Sequence, residues 1–236
     1  MHFGHIGIAL AVRPVAPKVS FGVILIATTL LDILTGIFSL IGIERMEANG
    51  IGIFPWSHGL FMASIWTLMV IIVFRSFSYS TRDSMLLGGV VFSHWILDFI
   101  SHPMGFGKTL PPDIPLLFEN SPLVGLGLFN SLWAALVTEF GLLLIGSFIY
   151  LKTTYDQNIA GRWSFAILIF YVFIMLIPPV LLPKEYILLS TLFNLPLFPL
   201  GFWMDRHRIL NTTIGKECTK TQKKRDRLQT TNRPRA

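Results

Sequence analysis

Charged side chains are scarce in this sequence. Only 14% of its 236 residues are Asp, Glu, Lys or Arg, whereas 53% are hydrophobic, and a soluble domain normally carries about 25% charged residues. One core in a chain of this length cannot hide that much apolar surface from water. The composition therefore argues against an ordinary soluble domain and predicts an integral membrane protein.

Cysteine and several common functional motifs are also missing. Cys218 is the single cysteine, so a disulfide within the chain is impossible and a cysteine-based metal site is not expected. The sequence has no glycine-rich phosphate loop and no serine-nucleophile elbow. It has no pattern of a cleavable signal either, because the first apolar run is too long and carries Asp32 at its middle.

Basic residues are concentrated at the C-terminus. Residues 205–236 contain ten Lys and Arg against three acidic residues, so they carry +7 while residues 1–204 carry −1. We interpret residues 1–204 as a membrane domain and residues 205–236 as a basic cytoplasmic tail that anchors the topology. The alternative is a tail that binds anionic lipid or RNA. A specific nucleic-acid-binding face is not expected.

Six apolar segments predict an all-α, polytopic transmembrane bundle. A helix needs about 20 apolar residues to cross the hydrocarbon core. The last two segments contain prolines, among them Pro178 and Pro196, and are expected to be broken or kinked. The predicted spans lie near 20–43, 57–74, 84–102, 123–151, 163–183 and 186–203.

The distribution of Lys and Arg favours an orientation with both termini in the cytoplasm. This orientation places sixteen basic residues inside and three outside, namely Arg45, Lys108 and Lys184. The placement of residues 1–19 stays open at this point. The stretch from His2 to Val12 is expected to form a short helix that either lies at the interface or folds back into the bundle.

Ionisable residues inside the predicted spans carry most of the functional information. Asp32 lies at the centre of the first span, His58 opens the second, and the third contains His94, Asp98 and His102 at i, i+4 and i+8. That spacing places the last three on one face of a helix. Charged groups at such depths are costly and usually functional, and imidazole with carboxylate is a ligand set of zinc, manganese and iron sites.

We therefore predict a metal site in which His94 and Asp98 bind one ion, with His58 and Asp32 as partners. A His–Asp pair one turn apart also satisfies itself by mutual contact, so packing alone is the other interpretation. His102 lies about 12 Å from His94 along the helix axis, which suits a second ion, a substrate or a proton.

Two further residues have open roles at the level of sequence. Glu139 in the fourth predicted span could be a metal ligand, a catalytic base, or the partner of a buried cation or of Asn130. His5 completes the site if residues 1–12 fold back into the bundle, and it cannot do so if they lie on the cytoplasmic surface.

Taken in order, these motifs resemble the membrane-bound metal-dependent hydrolases of bacteria, a family that includes LexA-binding inner-membrane members. The resemblance runs from about His5 to Tyr150. It rests on GHIGIALAVRPVAPKVS, LLDIL, PWSHGL, SHWILDFISHP, DIPL and GLGLFNS. It implies a location in the bacterial inner membrane. It also implies a set of metal ligands, namely His5, Asp32, His58, His94 and Asp98.

The sequence departs from many members of that family at two places. It has one Asp in the region of Asp32, where many members have an Asp-x-Asp pair, and this speaks against two metals. It also has Phe129 where Trp is expected.

The functional expectation is a hydrolase that uses one divalent ion, with zinc first and manganese or iron as alternatives. His102 and Glu139 are the candidates for acid–base catalysis. The expected substrate is a lipid or a lipid-linked ester or phosphodiester near the outer face of the membrane. Two alternatives stay open, namely a proton- or cation-coupled transporter and a non-catalytic membrane protein that binds a partner.

Overall fold

The computed structural model describes residues 1–46, 52–103, 109–118, 120–175 and 191–211. Within these residues it is mostly helical, with only small sheets. Eight α-helices have both ends within the described residues. They are α1 His2–Val12, α2 Phe21–Thr28, α3 Leu30–Leu40, α4 Leu60–Ser76, α5 Thr81–Ser101, α6 Leu132–Thr153, α7 Ile159–Ile174 and α8 Leu197–His207. A 3₁₀ turn, Leu128–Asn130, precedes α6.

In the described part of the chain, three short antiparallel ladders lie in the connections beside the helices. They are β1 Arg45–Met46 with β2 Gly52–Ile53, β3 Ile114–Pro115 with β4 Leu123–Val124, and β5 Thr154–Asp156 with β6 Arg208–Leu210. Several helices begin at a polar cap whose side chain accepts a hydrogen bond from a backbone N–H in the first turn. The caps of α2, α5, α6 and α7 are Ser20, Ser80, Ser131 and Asn158.

Helix α1 lies inside the bundle, which settles the placement that the sequence left open. It packs along α6 and also contacts α2 and α5. Its side chains are apolar on nearly all sides, as expected of a buried helix, and Ile6 and Leu10 are fully buried. The N-terminal segment therefore folds back, and it brings His5 into the interior.

Small residues allow α1 and α6 to cross closely. A Cβ atom added to Gly146 would collide with the backbone carbonyl of Gly7, and one added to Gly7 would collide with the backbone of Leu142. Close crossings at small residues are a common way to pack helices in membranes, because the backbones then make extensive van der Waals contact. The position of His5 depends on this crossing.

Among the described residues, two helices, α5 and α6, are long and apolar enough to cross a membrane, with 21 and 22 residues. A third candidate is the pair α2 and α3, which is bent by 58° between Thr28 and Leu30. The structure thus supports two or three of the six predicted spans. Helices α1, α4 and α7 are apolar but shorter. Residues 176–190, which include parts of the fifth and sixth predicted spans, lie outside the described residues.

The surface of α6 is apolar. Only 17% of its most apolar 18-residue stretch is buried in the bundle. The side chains of Trp133, Val137, Leu144 and Phe148 are exposed. Such a contiguous apolar surface suits contact with lipid.

The folded part of the chain extends past the predicted boundary at residue 204. Helix α8 continues to His207, and β6 pairs with β5 up to Leu210. Asp205 binds the Arg13 guanidinium at 2.9 Å, and Arg208 is buried against Thr154 and Asp156. The first residues of the predicted tail are therefore part of the bundle, and residues 212–236 lie outside the described residues.

Replacing Gly146 by Ala should destabilise the bundle, because backbone atoms rather than a movable side chain meet the new Cβ. We expect a loss of about 1–3 kcal/mol in the free energy of unfolding. The measurement is thermal unfolding of the detergent-purified protein, where each kcal/mol lowers Tm by about 2–4 °C.

Gly141 provides the matched control on the same helix, since a Cβ there meets no atom within 4 Å. Gly141→Ala should leave Tm unchanged or raise it, because Ala is the better helix former by about 0.5–1 kcal/mol. Equal Tm values for the two variants would contradict the close crossing of α1 and α6.

Candidate metal centre

The break between α2 and α3 forms one side of the candidate metal centre, which lies between α3, α5 and the segment before α4. The hydroxyl groups of Thr28 and Thr29 both donate to the carbonyl of Leu25, at 2.7 and 3.1 Å, which is the kind of local bonding that competes with a regular helix. The chain bends here, and the carbonyl of Thr28 accepts a hydrogen bond from Nδ1 of His94 at 2.6 Å. A proton on Nδ1 leaves the lone pair of His94 on Nε2.

Helix α3 then places Asp32 in its first turn. Negative charge is favoured at a helix N-terminus by the exposed N–H groups and the helix dipole. The side chain of Asp32 is 27% exposed, whereas His94 and Asp98 on α5 are almost completely buried. The centre is therefore open on the side of Asp32.

Four donor atoms lie close together between α3, α5 and the segment before α4, where His58 and His94 each contact both Asp32 and Asp98. Nε2 of His58 lies 3.3 Å from Nε2 of His94 and 3.3 Å from Oδ2 of Asp98. Nε2 of His94 lies 3.1 Å from the same Asp98 oxygen. Oδ1 of Asp32 lies 3.6 Å from each of the two imidazole nitrogens.

These separations fit a metal ion. Four ligands at the zinc bond lengths of about 2.0–2.2 Å in a tetrahedron lie about 3.3–3.6 Å from one another. Five of the six separations in this set, all those that involve an imidazole nitrogen, span 3.1–3.6 Å. Two carboxylates would also balance the charge of a divalent ion, which lowers the cost of holding the ion in apolar surroundings.

His5 reaches the same place from α1. Its ring stacks on that of His94, with centroids 3.7 Å apart and planes within 8°. Its Nε2 lies 3.3 Å from Oδ1 of Asp98, yet within the described residues neither ring nitrogen makes a hydrogen bond of normal geometry. A fully buried imidazole with no such bond suits a role as a ligand. The α-amino group of Met1 lies 3.1 Å from the same Asp98 oxygen.

Within the residues that the structure describes, the donor atoms form two overlapping groups with the spacing of a metal site, and both include His94. One consists of His5, His94 and Asp98, and the other of Asp32, His58 and His94. Because Nδ1 of His94 is bound to a backbone carbonyl, only its Nε2 can coordinate. One nitrogen serves one ion, so the geometry fits a single metal better than two.

His58 is held by Ser57 and by two groups that could not be identified from the sequence, Thr35 and Glu44. Its Nδ1 lies 3.0 Å from the Ser57 hydroxyl and 2.9 Å from the Thr35 hydroxyl. Ser57 in turn donates to Glu44 at 2.8 Å. Burial raises the pKa of the Glu44 carboxyl, and the hydrogen bonds from Ser57 oppose that rise. Such outer partners orient metal-binding histidines. The one hint in the sequence was the Ser–His pair at residues 57 and 58.

His102 and Glu139 belong to neither group among the described residues. Nδ1 of His102 instead lies 3.1 and 3.2 Å from the two carboxylate oxygens of Asp113, and its side chain is 25% exposed. Glu139 accepts a hydrogen bond from the backbone N–H of Gly4 at 2.7 Å. It thereby binds the first turn of α1 to α6. This contact gives Glu139 a structural role.

Comparison with known proteins adds no family to this geometry. No family model matches the sequence, and neither the curated proteins nor the solved structures contain a match. The resemblance to membrane-bound metal-dependent hydrolases therefore stays a prediction from the motifs.

Proposed function

We propose that this protein is a metal-dependent hydrolase of the bacterial inner membrane that acts on a lipid or a lipid-linked ester or phosphodiester. The convergence of five side chains, namely His5, Asp32, His58, His94 and Asp98, within a bundle that has apolar, membrane-length helices carries the proposal. In this proposal the chain crosses the membrane several times with both termini in the cytoplasm, and the centre opens toward the outer half of the bilayer.

The distances between donor atoms separate the proposed ligands into a set of four and a fifth residue, His5. His58, His94, Asp32 and Asp98 form the four-donor set, and His5 is the fifth ligand or a packed neighbour that shares Asp98. Zinc suits this set of imidazole and carboxylate ligands best, and manganese or iron also accept it. A bound divalent ion supplies Lewis-acid activation of water and of the ester oxygen.

His102 is the proposed proton carrier. Asp113 holds its Nδ1, which orients the ring and leaves Nε2 as the atom that can take up a proton released at the centre. The water oxygen bonds to the acyl carbon or the phosphorus, the ester bond to the alcohol breaks, and His102 returns its proton to the departing alkoxide. Asp32, the more exposed carboxylate of the centre, lies on the side from which the substrate would enter.

A transporter is the second candidate, and one observation favours it. Asp32, His58, His94 and Asp98 form a continuous chain of close contacts beside a broken helix pair, and broken helices line ion sites in many transporters. Metal content separates the two functions, because a proton relay needs no bound ion.

The double variant His94→Ala, Asp98→Ala should lose its metal. Wild-type protein purified in detergent without chelator should contain about one zinc, manganese or iron per chain by elemental analysis, and the variant should contain almost none. The control is His207→Ala. His207 contacts Asn158, which is distant in sequence from the proposed ligands, so this variant should keep the wild-type metal content.

Two results would overturn the metal site. One is full metal content in the double variant. The other is wild-type protein with no divalent ion, which would favour the proton-relay transporter instead.

Substitution of His102 by Ala should slow hydrolysis without removing the ion. Loss of a general acid–base group lowers kcat by about 10²–10⁴-fold, while the four donors stay in place. The assay is release of product from fluorogenic phosphodiester and carboxylic-ester lipids in detergent or nanodiscs, with metal content measured on the same samples. Asp113→Asn should cause a smaller loss. Wild-type turnover in His102→Ala would exclude His102 as the proton carrier.

A further inference from the structure

Glu44 is a buried carboxylate that lies behind the centre rather than in it. It follows α3, and it is only 2% exposed. One oxygen accepts hydrogen bonds from the backbone N–H groups of Trp56 and Ser57, each at 2.8 Å. The other accepts from the Ser57 hydroxyl at 2.8 Å. A carboxylate with so complete a set of partners is built into the fold.

The direction of these hydrogen bonds follows from counting protons. An ionised carboxylate only accepts, so the single proton of the Ser57 hydroxyl is donated to Glu44. One lone pair of Ser57 then accepts the single proton of the Thr35 hydroxyl at 2.7 Å, so Thr35 has none to give to His58, and the other faces Nδ1 of His58 at 3.0 Å. A bond between that nitrogen and the Ser57 oxygen consequently requires the proton on Nδ1. His58 is then left with a lone pair on Nε2, the atom that faces His94 and Asp98.

We propose that Glu44 is a positioning residue that sets the tautomer of His58 through Ser57, so that Nε2 is free to bind the ion. The inference rests on the proposed metal site for its consequence, the metal affinity. The tautomer itself is a property of the protein without metal, and it can be measured separately.

The variant Glu44→Gln tests the direction of the hydrogen bonds that run from Glu44 through Ser57 to His58. Gln has nearly the same shape as Glu, so the packing should change little. The amide oxygen of Gln still accepts from the two backbone N–H groups. Its NH₂ group now donates to Ser57, so the hydroxyl proton turns toward Nδ1 of His58. That ring must then carry its proton on Nε2, which points into the centre and competes with the ion.

The first measurement is ¹⁵N NMR of histidine-labelled protein in nanodiscs without metal, at a pH where His58 is neutral. Six histidines are present, and the signal that disappears in His58→Gln identifies His58. Wild type should show the proton on Nδ1, and Glu44→Gln should show it on Nε2. An unchanged tautomer in Glu44→Gln would overturn the proposal.

The second measurement is the zinc affinity of the same proteins by competition with a chelator. Loss of an outer partner of a metal-binding histidine typically costs about 10–100-fold in affinity, and we expect a loss of that size in Glu44→Gln. Ser57→Ala should also weaken binding, since it removes the link while Thr35 still contacts Nδ1. Wild-type affinity in both variants would overturn the proposal.

Asp83→Asn is the matched control on α5. Asp83 is also a buried carboxylate that accepts a serine hydroxyl proton, from Ser80 at 2.7 Å, but it lies at the opposite end of the helix from Asp98. It should leave both the tautomer and the zinc affinity as in wild type. A change equal to that of Glu44→Gln would show a general loss of packing and contradict the proposal.

The two proposals fail in different ways. If wild type binds no divalent ion, the metal-dependent function fails while the tautomer experiment still decides the role of Glu44. If wild type binds zinc and Glu44→Gln binds it equally well with the same tautomer, only the role of Glu44 fails.

Discussion

The structure depends on the burial of the Asp98 carboxylate. A charge in an apolar interior is costly unless it is compensated on the spot, and Asp98 is only 3% exposed. One of its oxygens faces His58 and His94, and the other faces His5 and the α-amino group of Met1. These partners come from α1, from α5 itself and from the segment before α4. Compensation of one charge thus ties together parts of the chain that are distant in sequence.

The apolar bundle is arranged to make that compensation possible. The close crossing of α1 and α6 at Gly7 and Gly146 brings α1 to the depth at which His5 stacks on His94. The bend between α2 and α3 releases a carbonyl that holds His94, and it presents Asp32 at the start of a new helix. The crossing requires glycines in place of larger side chains, and the bend interrupts a helix. Both features place polar groups at the centre.

The polar contacts form an inner and an outer set. The inner set contains the donor atoms that meet within 3.1–3.6 Å. The outer set contains the carbonyl of Thr28 and the chain from Glu44 through Ser57, and each outer group fixes which nitrogen of a histidine carries the proton. The arrangement resolves a general difficulty of histidine sites, where only the correct tautomer can coordinate.

Much of the candidate site could be predicted from the sequence, because helical spacing is local. Asp98 lies one turn after His94, so both had to share a face of α5, and ionisable residues in apolar segments singled out Asp32 and His58. Length and composition also predicted helices apolar enough for a membrane, of which two or three are supported among the described residues. Six spans remain a prediction, since hydropathy shows apolar segments but not where a helix bends or stops.

Only the tertiary structure decided how these segments meet. Residues 1–12 could equally have lain at an interface, and backbone contact with α6 at Gly7 and Gly146 brings them inside. His102 shares the stripe of His94 and Asp98, but α5 ends at Ser101 and the side chain turns to Asp113 instead. Glu44 lies thirteen residues from Ser57 in sequence, and no local pattern indicates that a carboxylate there determines the proton of a histidine. Spacing along one helix is a property of the sequence, whereas contacts between segments arise only when their surfaces pack.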